Sequence, residues 1–406
     1  MKYKLGDLCK IKHGYAFKGK YIVQEKTDYI LVTPGNFKIG GGFKGDKFKF
    51  YNNPDDIPTD YILKPNSLVV TMTDLSVKSD TLGYSALIPN DNKIYLHNQR
   101  IGLVHDINES LILKDYLYWF MRTFKYQKSV VATQSGTAIH HTSPERILNI
   151  EIELPILEEQ KRIVSFLNSI EKKIELNLKI IDNLEEQLRK IFENEYFNLI
   201  DYNNIEQYED YNLYDEFDVI DNRGKTPPLV DNSEYPIIDV RVLSGSNRMI
   251  NYSDCMKFVS EDTYNTFFRN GHPKLNDVLI STVGSLAEMK LFLEDKGTIA
   301  QNVIALRHKH NYPLFMYQYM LAIRKKLISY DIGSVQPSIK VTQFMKETIY
   351  IQKDKKNIMK FEILARDYTQ KIVNATLQNR VLERLIDINL SKVIFDEIDL
   401  DKVEIQ

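Results

Sequence analysis

The sequence predicts an α+β fold in which two duplicated modules are separated by an antiparallel two-helix coiled coil. Apolar residues recur at alternating spacings of four and three between Ile163 and Ile191, which is the pattern of a coiled-coil seam. The same spacing returns 198 positions later, between Phe361 and Asn389. Each predicted helix follows a turn-rich segment of short apolar runs, which indicates a tandem duplication.

The predicted seam comprises the side chains that would meet between the two helices. They are Ile163, Leu167, Ile170, Ile174, Asn177, Ile181, Leu184 and Leu188, and in the second helix Phe361, Tyr368, Ile372, Asn379, Leu382 and Ile386. Polar seam residues such as Asn177 and Asn379 usually fix the register of a coiled coil. If the helices cross near Asn177 and Ala375, the two asparagines lie within about one helical turn of each other. The alternative is that each helix packs separately on its own module.

Landmarks outside the helices support the duplication, because coiled-coil composition cannot produce them. Four pairs of segments align in one order: residues 5–8 with 213–216, 63–70 with 273–280, 99–103 with 301–305, and 118–120 with 317–319. A repeat of this length indicates a duplicated domain and not a solenoid unit.

The first module is predicted to be mainly β up to about residue 105, since short apolar runs alternate with Gly, Pro, Asn and Asp. Leu111–Tyr126 has helical spacing. Ser143-Pro144 is a helix start, because serine accepts backbone hydrogen bonds and proline fits the first turn. Ile150–Leu154 alternates like a strand ahead of the long helix. The second module repeats this short helix and strand over residues 340–352.

Composition indicates an ordinary soluble protein of 406 residues with 43% hydrophobic residues. No run approaches the roughly 18 apolar residues that a membrane span needs. The start of the chain lacks the apolar core of a signal peptide. Cys9 and Cys255 lie far apart and are expected to be buried and free, so we expect a cytoplasmic protein.

Charge is unevenly placed although the formal net charge is only −2. The first fifty residues carry eleven lysines and are rich in Tyr and Phe, whereas residues 201–218 hold acidic residues and no Lys or Arg. A basic, aromatic segment fits phosphate contacts and base stacking. The other interpretation is a lysine-coated surface over an aromatic core. We interpret the acidic stretch as a linker between the halves.

The sequence lacks the complete motifs of several enzyme classes. Asn53-Pro54-Asp55-Asp56 lacks the second proline and the aromatic residue with which an adenine methyltransferase holds its target base. Gly40-Gly41-Gly42 lacks the Gly-Lys-Ser/Thr that follows in a phosphate-binding loop. We therefore expect no catalytic residue, no metal site and no cofactor.

Two segments with an acid two residues before a lysine permit a nuclease hypothesis. These are Asp91–Lys93 and Glu294–Lys296, with Asp74 and Asp277 upstream as metal partners. Both segments are also turn sequences between strands, which is the role we expect. The pair His140-His141 has no partner set with metal-ligand spacing and is expected in a solvent-facing turn.

The segment Glu153–Ile163, followed by Ile170–Asn177, resembles the central conserved region of specificity subunits of Type I restriction-modification enzymes. The family plan, a target-recognition domain and a helix followed by a second copy of each, matches essentially the whole chain. Gly136-Thr137 and residues 333–339 resemble the Gly-containing turn of the family. The second copy departs from the family at Gln352-Lys353-Asp354, where a Pro-rich turn and Glu-Gln are usual.

The resemblance implies four segments: a target-recognition domain at 1–155, a central conserved helix at 156–200, a second target-recognition domain at 201–353, and a distal conserved helix with a tail at 354–406. Each target-recognition domain would read one half of a split, asymmetric DNA sequence, and the helices would set the gap. A helix of about 43 Å spans a little over one turn of DNA. The helices would also dock two methyltransferase subunits, and restriction subunits that translocate DNA would join the full complex. The chain itself would be non-catalytic.

Loops rich in polar and basic residues are the candidate DNA contacts. In the first module they supply Lys12, His13, Tyr15, Lys18, Lys20, Thr71, Thr73, Gln99, Arg100 and Gln134. In the second module they supply Arg223, Lys225, Thr226, Ser281, Thr282, Ser285, Gln301, Asn302 and Gln336. A structural turn role is open for each of them. The main alternative function is a coiled-coil protein-binding adaptor without DNA specificity.

Overall fold

The computed structural model describes residues 1–395 except 46, 75, 77, 78, 137, 138, 198–206, 334 and 335. The chain forms two compact units, one of Met1–Lys173 with Val381–Gln406 and one of Ile174–Arg380. Each long helix therefore contributes residues to both units. The boundaries at residues 155, 200 and 353 stay predictions, and part of the acidic stretch 201–218 lies outside the described residues.

The first unit is built on a four-stranded antiparallel sheet. Its strand order is Lys10–His13, Ile101–His105, Leu68–Thr71, Ser85–Leu87. A second sheet has the order Ile22–Val23, Lys49–Tyr51, Tyr29–Val32, Ile94–His97, Ile62–Leu63, in which Tyr29–Val32 and Ile94–His97 are parallel. Two further pairs join Lys2–Lys4 to Glu151–Glu153 and Thr73–Asp74 to His140–His141. The predicted β character of this module is confirmed.

The helices of the first module are short. They are Leu5–Leu8, Lys114–Phe120, Phe124–Ala132 and Pro144–Leu148. The helix predicted at Leu111–Tyr126 is broken, because the Thr123 side chain accepts a hydrogen bond from the Tyr126 N–H and so begins a new helix. The predicted start at Ser143 is confirmed, since its hydroxyl accepts from the Arg146 N–H at 3.3 Å.

The second unit repeats the plan. Its four-stranded sheet has the order Phe217–Ile220, Val303–His308, Val278–Ser281, Met289–Leu291. Tyr235–Ile238 runs parallel to Thr298–Ile299 and antiparallel to Phe258–Val259, and Tyr208–Asn212 pairs with Thr348–Gln352. Its helices are Leu213–Glu216, Val240–Leu243, Glu261–Phe267, Pro313–Ala322, Arg324–Ile328 and Val341–Phe344. The landmarks aligned from sequence fall on equivalent elements, so the duplication is confirmed.

Each unit has an apolar core that includes the short helix facing the long helices. In the first unit Trp119 is fully buried, and its indole N–H donates to Asn168 at 2.7 Å. In the second unit Phe192 packs edge-on against Phe315 and Phe361, at ring-centroid distances of 5.1 and 5.5 Å. In the described part of the chain no helix is long and apolar enough to cross a bilayer.

The two cysteines are buried and free, as predicted. Burial raises the pKa of the Cys9 thiol to about 12 and that of the Cys255 thiol to about 11. Both side chains are therefore protonated and unreactive at neutral pH, because the thiolate is the reactive form.

The long helices are Leu157–Phe192 and Lys355–Ile394. Within the second unit they run antiparallel, since Asn177 contacts Asn379 and the Tyr368 hydroxyl donates to Gln187 at 3.1 Å. Asn177 Nδ2 donates to Asn379 Oδ1 at 2.8 Å, and Asn379 Nδ2 donates to the Ile174 carbonyl at 3.2 Å. None of the predicted seam residues is exposed, and the predicted coiled-coil pairing is confirmed there.

Replacing Asn177 by leucine should lower the free energy of unfolding by about 2 kcal/mol, because the buried amide oxygen of Asn379 loses its donor. The double change Asn177→Leu and Asn379→Leu should restore most of that stability, since both polar groups are then removed. Urea unfolding followed by circular dichroism measures both effects. The control is Asn183→Leu at an exposed position of the same helix. A double variant no more stable than the single variant would contradict the role of the amide pair.

Candidate nucleic-acid interface

Four predicted loops of the first module emerge at one end of its central sheet. Strand Ile101–His105 runs antiparallel to both of its neighbours, and the register pairs Gly102 with His13 and Ile101 with Thr71. The ends of strands Lys10–His13 and Leu68–Thr71 therefore lie beside the start of strand Ile101–His105. We call these loops the first loop edge; it comprises residues 12–20, 71–74, 98–100 and 133–135.

Two loops of the first loop edge are joined by backbone hydrogen bonds. The Tyr15 N–H donates to the His97 carbonyl at 2.8 Å, and the Gln99 N–H donates to the Tyr15 carbonyl at 2.9 Å. A Cβ atom on Gly14 would lie 2.0 Å from the Asn98 carbonyl oxygen, so only glycine permits this approach. The structure thereby brings Tyr15 and Gln99 together.

Basic and aromatic side chains surround this junction. Lys12 Nζ lies 4.4 Å from the ring centroid of Tyr61, and the Tyr15 and Tyr61 rings are 5.3 Å apart. Lys18 forms an ion pair with Asp56 at 2.8 Å, and this hydrogen bond lowers the pKa of the Asp56 carboxyl. Other exposed side chains of the edge are His13, Lys20, Gln99 and Arg100. Tyr61 and Asp56 were missed from sequence.

The aromatic residues beneath the lysines form a core, as the second interpretation of the composition proposed. Phe17 and Tyr51 are buried, and their ring centroids are 5.0 Å apart. His97 is buried with its ring centroid 6.0 Å from that of Tyr61, and burial lowers its pKa to about 4. The imidazole is therefore neutral at physiological pH, and its Nε2 bonds to the Ile101 carbonyl at 2.8 Å. Lysines and half-buried rings thus cover a rigid apolar base.

The predicted threonines of this edge face inward. Thr71 and Thr73 are buried; the Thr71 hydroxyl donates to the Thr73 carbonyl at 2.9 Å, and Thr73 Oγ1 lies 3.1 Å from His141 Nδ1. Gln134 is half-buried and accepts from the Ser79 hydroxyl at 2.8 Å. The expectation of a histidine turn is wrong, because His140 and His141 lie on a strand paired with Thr73–Asp74 and His140 is buried.

The second module has an equivalent loop edge. Its register pairs Ile220 with Ala305 and Ser281 with Val303, so the same three strand ends coincide. The Thr282 N–H donates to the Asn302 carbonyl at 2.9 Å, and the Ile339 N–H donates to the Thr282 carbonyl at 2.8 Å. We call residues 221–226, 281–285, 301–302 and 336–338 the second loop edge. Ser334 and Val335, which precede the predicted Gln336 in the sequence, lie outside the described residues.

As in the first loop edge, some side chains of the second loop edge are buried and others lie at the surface. Ser281 and Thr282 are buried, and the Ser281 hydroxyl donates to the Ser285 carbonyl. Arg223 forms an ion pair with Asp221, with Nε 2.9 Å from Oδ1. Gln301 is half-buried and donates to the Thr226 hydroxyl at 3.1 Å. The remaining predicted residues are exposed or half-buried at the surface: Lys225, Thr226, Ser285, Asn302 and Gln336.

The profile of the Type I restriction modification DNA specificity domain matches residues 1–186 and again residues 205–383. The chain belongs to this family. The Type I restriction enzyme MjaIX specificity subunit of Methanocaldococcus jannaschii is 21% identical over 347 residues, which cover 79% of this chain and 76% of that protein. The MjaVIII specificity subunit of the same organism is 26% identical over 204 residues, which cover 46% of this chain and 43% of that protein.

A solved S subunit of a Type I restriction-modification system from M. genitalium shares the fold. It covers 97% of this chain and 95% of its own length with a TM-score of 0.54 at 17% identity. The family profile matches each half of the chain, which agrees with the duplicated modules. It also favours DNA recognition over the adaptor without DNA specificity.

The acidic residues of the nuclease hypothesis are engaged in structural contacts. Asp91 accepts from the Tyr95 hydroxyl at 3.1 Å and pairs with Lys93 at 3.0 Å in a turn. Glu294 forms an ion pair with Arg380 at 2.8 Å. Asp277 forms an ion pair with Arg307 at 2.7 Å. The described residues hold no group of three His, Cys, Asp or Glu placed to bind a metal ion.

Replacing Gly14 by alanine should distort the junction with Asn98 and cost about 1–3 kcal/mol, because the added methyl group meets a backbone carbonyl that cannot move independently. Gly19→Ala is the matched control in the same loop, since nothing lies within 4 Å of its added Cβ. Thermal unfolding of both variants measures the difference. Equal stability of the two variants would show that the two loops separate at little cost.

Proposed function

We propose that each module reads one half of a two-part, asymmetric DNA site and that the two long helices set the gap between the halves. The observation that carries this proposal is the recurrence of one loop edge in both modules. Each edge gathers polar and basic side chains from separate loops at one end of an antiparallel sheet, which gives convergent contacts on a rigid base. Such a surface suits the edge of a DNA groove.

The exposed and half-buried side chains divide by chemistry into two proposed roles. Amide, hydroxyl, imidazole and guanidinium groups suit base edges: His13, Gln99, Arg100, Gln134, Thr226, Ser285, Gln301, Asn302 and Gln336. Long basic chains suit phosphates: Lys12, Lys18, Lys20, Arg223 and Lys225. Tyr15 offers a ring for stacking. The buried Thr71, Thr73, Ser281 and Thr282 hold the loops in shape, because their hydroxyl groups are committed within the protein.

The long helices also offer surface for partner subunits. Their seam is buried, yet apolar side chains away from the seam are exposed, among them Leu176, Ile180, Leu377, Val381, Leu385 and Ile388. Exposed apolar surface of this kind marks protein interaction sites. We propose that two methyltransferase subunits dock on these faces and that restriction subunits join the complete complex. Methyl transfer, ATP-driven translocation and cleavage would then take place in those partners, and this chain would be non-catalytic.

Removing phosphate contacts should weaken DNA binding and flatten its salt dependence. The variants Lys18→Gln with Lys20→Gln, and Arg223→Gln with Lys225→Gln, should each reduce the slope of log Kd against log salt by about 2, because each lost phosphate contact releases one fewer counterion. Fluorescence anisotropy with duplex DNA measures the slope.

The control for the salt experiment is Lys172→Gln with Lys179→Gln, two exposed lysines on the first long helix. It removes the same charge from a surface outside both loop edges. A slope unchanged in a loop-edge variant would remove its residues from the set of phosphate contacts.

Lengthening both long helices by four residues should change the gap but not the half-sites. Four residues add about 6 Å, which is close to two base pairs of DNA. Methylation sequencing of DNA modified by the assembled enzyme measures gap and half-sites together. An unchanged gap would contradict the proposal that the helices act as the ruler.

A further inference from the structure

Each unit contains an arginine, largely buried in the first and fully buried in the second, that joins its module to the first long helix. In the first unit Arg122 Nη1 forms an ion pair with Glu171 at 2.6 Å and donates to the Tyr118 hydroxyl, which in turn donates to Glu171 at 2.9 Å. The guanidinium also lies 4.3 Å from the ring centroid of Trp119. Only 10% of the Arg122 side chain is exposed.

Gly41, the middle one of three consecutive glycines in the first module, makes room for this arginine. Arg122 Nε donates to the Gly40 carbonyl at 3.0 Å. A Cβ on Gly41 would lie 2.4 Å from Arg122 Cγ, and the φ of Gly41 is +83°. Because this conformation and this contact both exclude a side chain, the glycine at position 41 allows the arginine to pack on this loop.

In the second unit Arg248 forms the corresponding contact. Its Nε and Nη2 donate to the two oxygens of Glu185 at 3.0 and 2.8 Å, and its Nη1 donates to the Thr369 hydroxyl at 2.6 Å. The guanidinium lies 5.5 Å from the ring centroid of Tyr317, and the side chain is fully buried. Lys290 is buried nearby, and burial lowers its pKa to about 8.

The two contacts are similar, but the repeat does not relate them, because its offset of 198 residues matches Glu171 with Thr369 and not with Glu185. Tyr118 and Tyr317 align in sequence, and both glutamates lie on the same helix. Arg122 comes from the end of the short helix and lies on a glycine loop, whereas Arg248 comes from the equivalent loop and lies on the short helix. Both loops are hydrogen-bonded to the outer strand of the sheet, through the Gly42 N–H and the Arg248 carbonyl, each at 2.8 Å.

We infer that Arg122 and Arg248 are positioning residues that fix each DNA-reading module to one turn of the first long helix, so that the gap between half-sites is held to a single value. The inference rests on the proposed function. A buried ion pair adds little net stability over an apolar pair of equal volume, but it has one favourable geometry. A planar guanidinium that donates to both carboxylate oxygens, as in the second unit, restricts rotation and sliding more than apolar packing does.

The test replaces both partners of one pair, as Arg122→Met with Glu171→Met or Arg248→Met with Glu185→Met. Each double variant removes both charges of its pair at once and keeps the buried volume, so it should fold, and Lys290 beside Glu185 keeps its hydrogen bonds to the Gly245 and Asn247 carbonyls. In the assembled methyltransferase complex, each should modify sites with a gap one base pair too long or too short at least tenfold more than the parent protein. The half-sites should stay the same. Glu186→Gln with Arg189→Gln, an exposed pair on the same helix, is the control.

A second measurement tests the position of the module without DNA. Spin labels on Asn92→Cys in the first module and Lys172→Cys on the helix, with Cys9 and Cys255 replaced by alanine, report their distance by double electron–electron resonance. The distribution should broaden in Arg122→Met with Glu171→Met and stay narrow in the control. An unbroadened distribution would overturn the inference, and so would a broadened one with unchanged gap selectivity. A parent complex that modifies no two-part site would contradict the proposed function, while the distances would still decide whether the pair positions the module.

Discussion

Burial of the helical seam is the interaction on which the rest of the molecule depends. Neither long helix could exist alone as a stable rod in this sequence, because its stability comes from an apolar stripe that must be covered. In the second unit the two helices cover each other and the short helix Pro313–Ala322 packs on them. The amide pair of Asn177 and Asn379 favours one register of the two helices, since a shift in register would leave both amides buried without partners.

The antiparallel strand order is a second constraint, because it brings the loops of each module to one edge of the sheet. In an antiparallel sheet, neighbouring strands begin and end alternately at the same edge, so residues far apart in sequence meet there without any long-range design of the loops. Thr71 and Ile101 meet in this way, as do Ser281 and Val303. The inward hydroxyls then fix the loop backbones, so the outward side chains could change without disturbing the loops, as the proposed reading of different DNA sequences would require. Rigid backbone and variable side chains are what a specificity domain requires.

The periodic features could be predicted from sequence. Local spacing or a single hydrogen bond determines the seam, the strand at Thr348–Gln352 and the capped helix at Ser143. Residues close together in the sequence are enough to predict such features. The break between Phe120 and Phe124 was missed because the apolar spacing continues through it, although the Thr123 cap begins a new helix there. Inward and outward residues of a loop edge could not be separated, since Thr73 and Gln99 are equally polar in sequence. The partners of Arg122 and Arg248, which lie 49 and 63 residues away, leave no local signal.

The two arginines come from different segments of their modules, so the duplicated halves share the type of contact and not the position of the residue. Positions 122 and 248 do not align, yet each guanidinium lies near an aligned tyrosine and meets a carboxylate of one helix. Both units therefore share an arginine that meets a carboxylate of the first long helix, while the segment that supplies the arginine and the helical turn that supplies the carboxylate differ. In both units the module provides the arginine and the helix provides the glutamate. A module transferred to another helix would keep its position only where that helix presents a carboxylate at the same turn. The position of a new module would therefore depend on the surface of the helix as well as on the module.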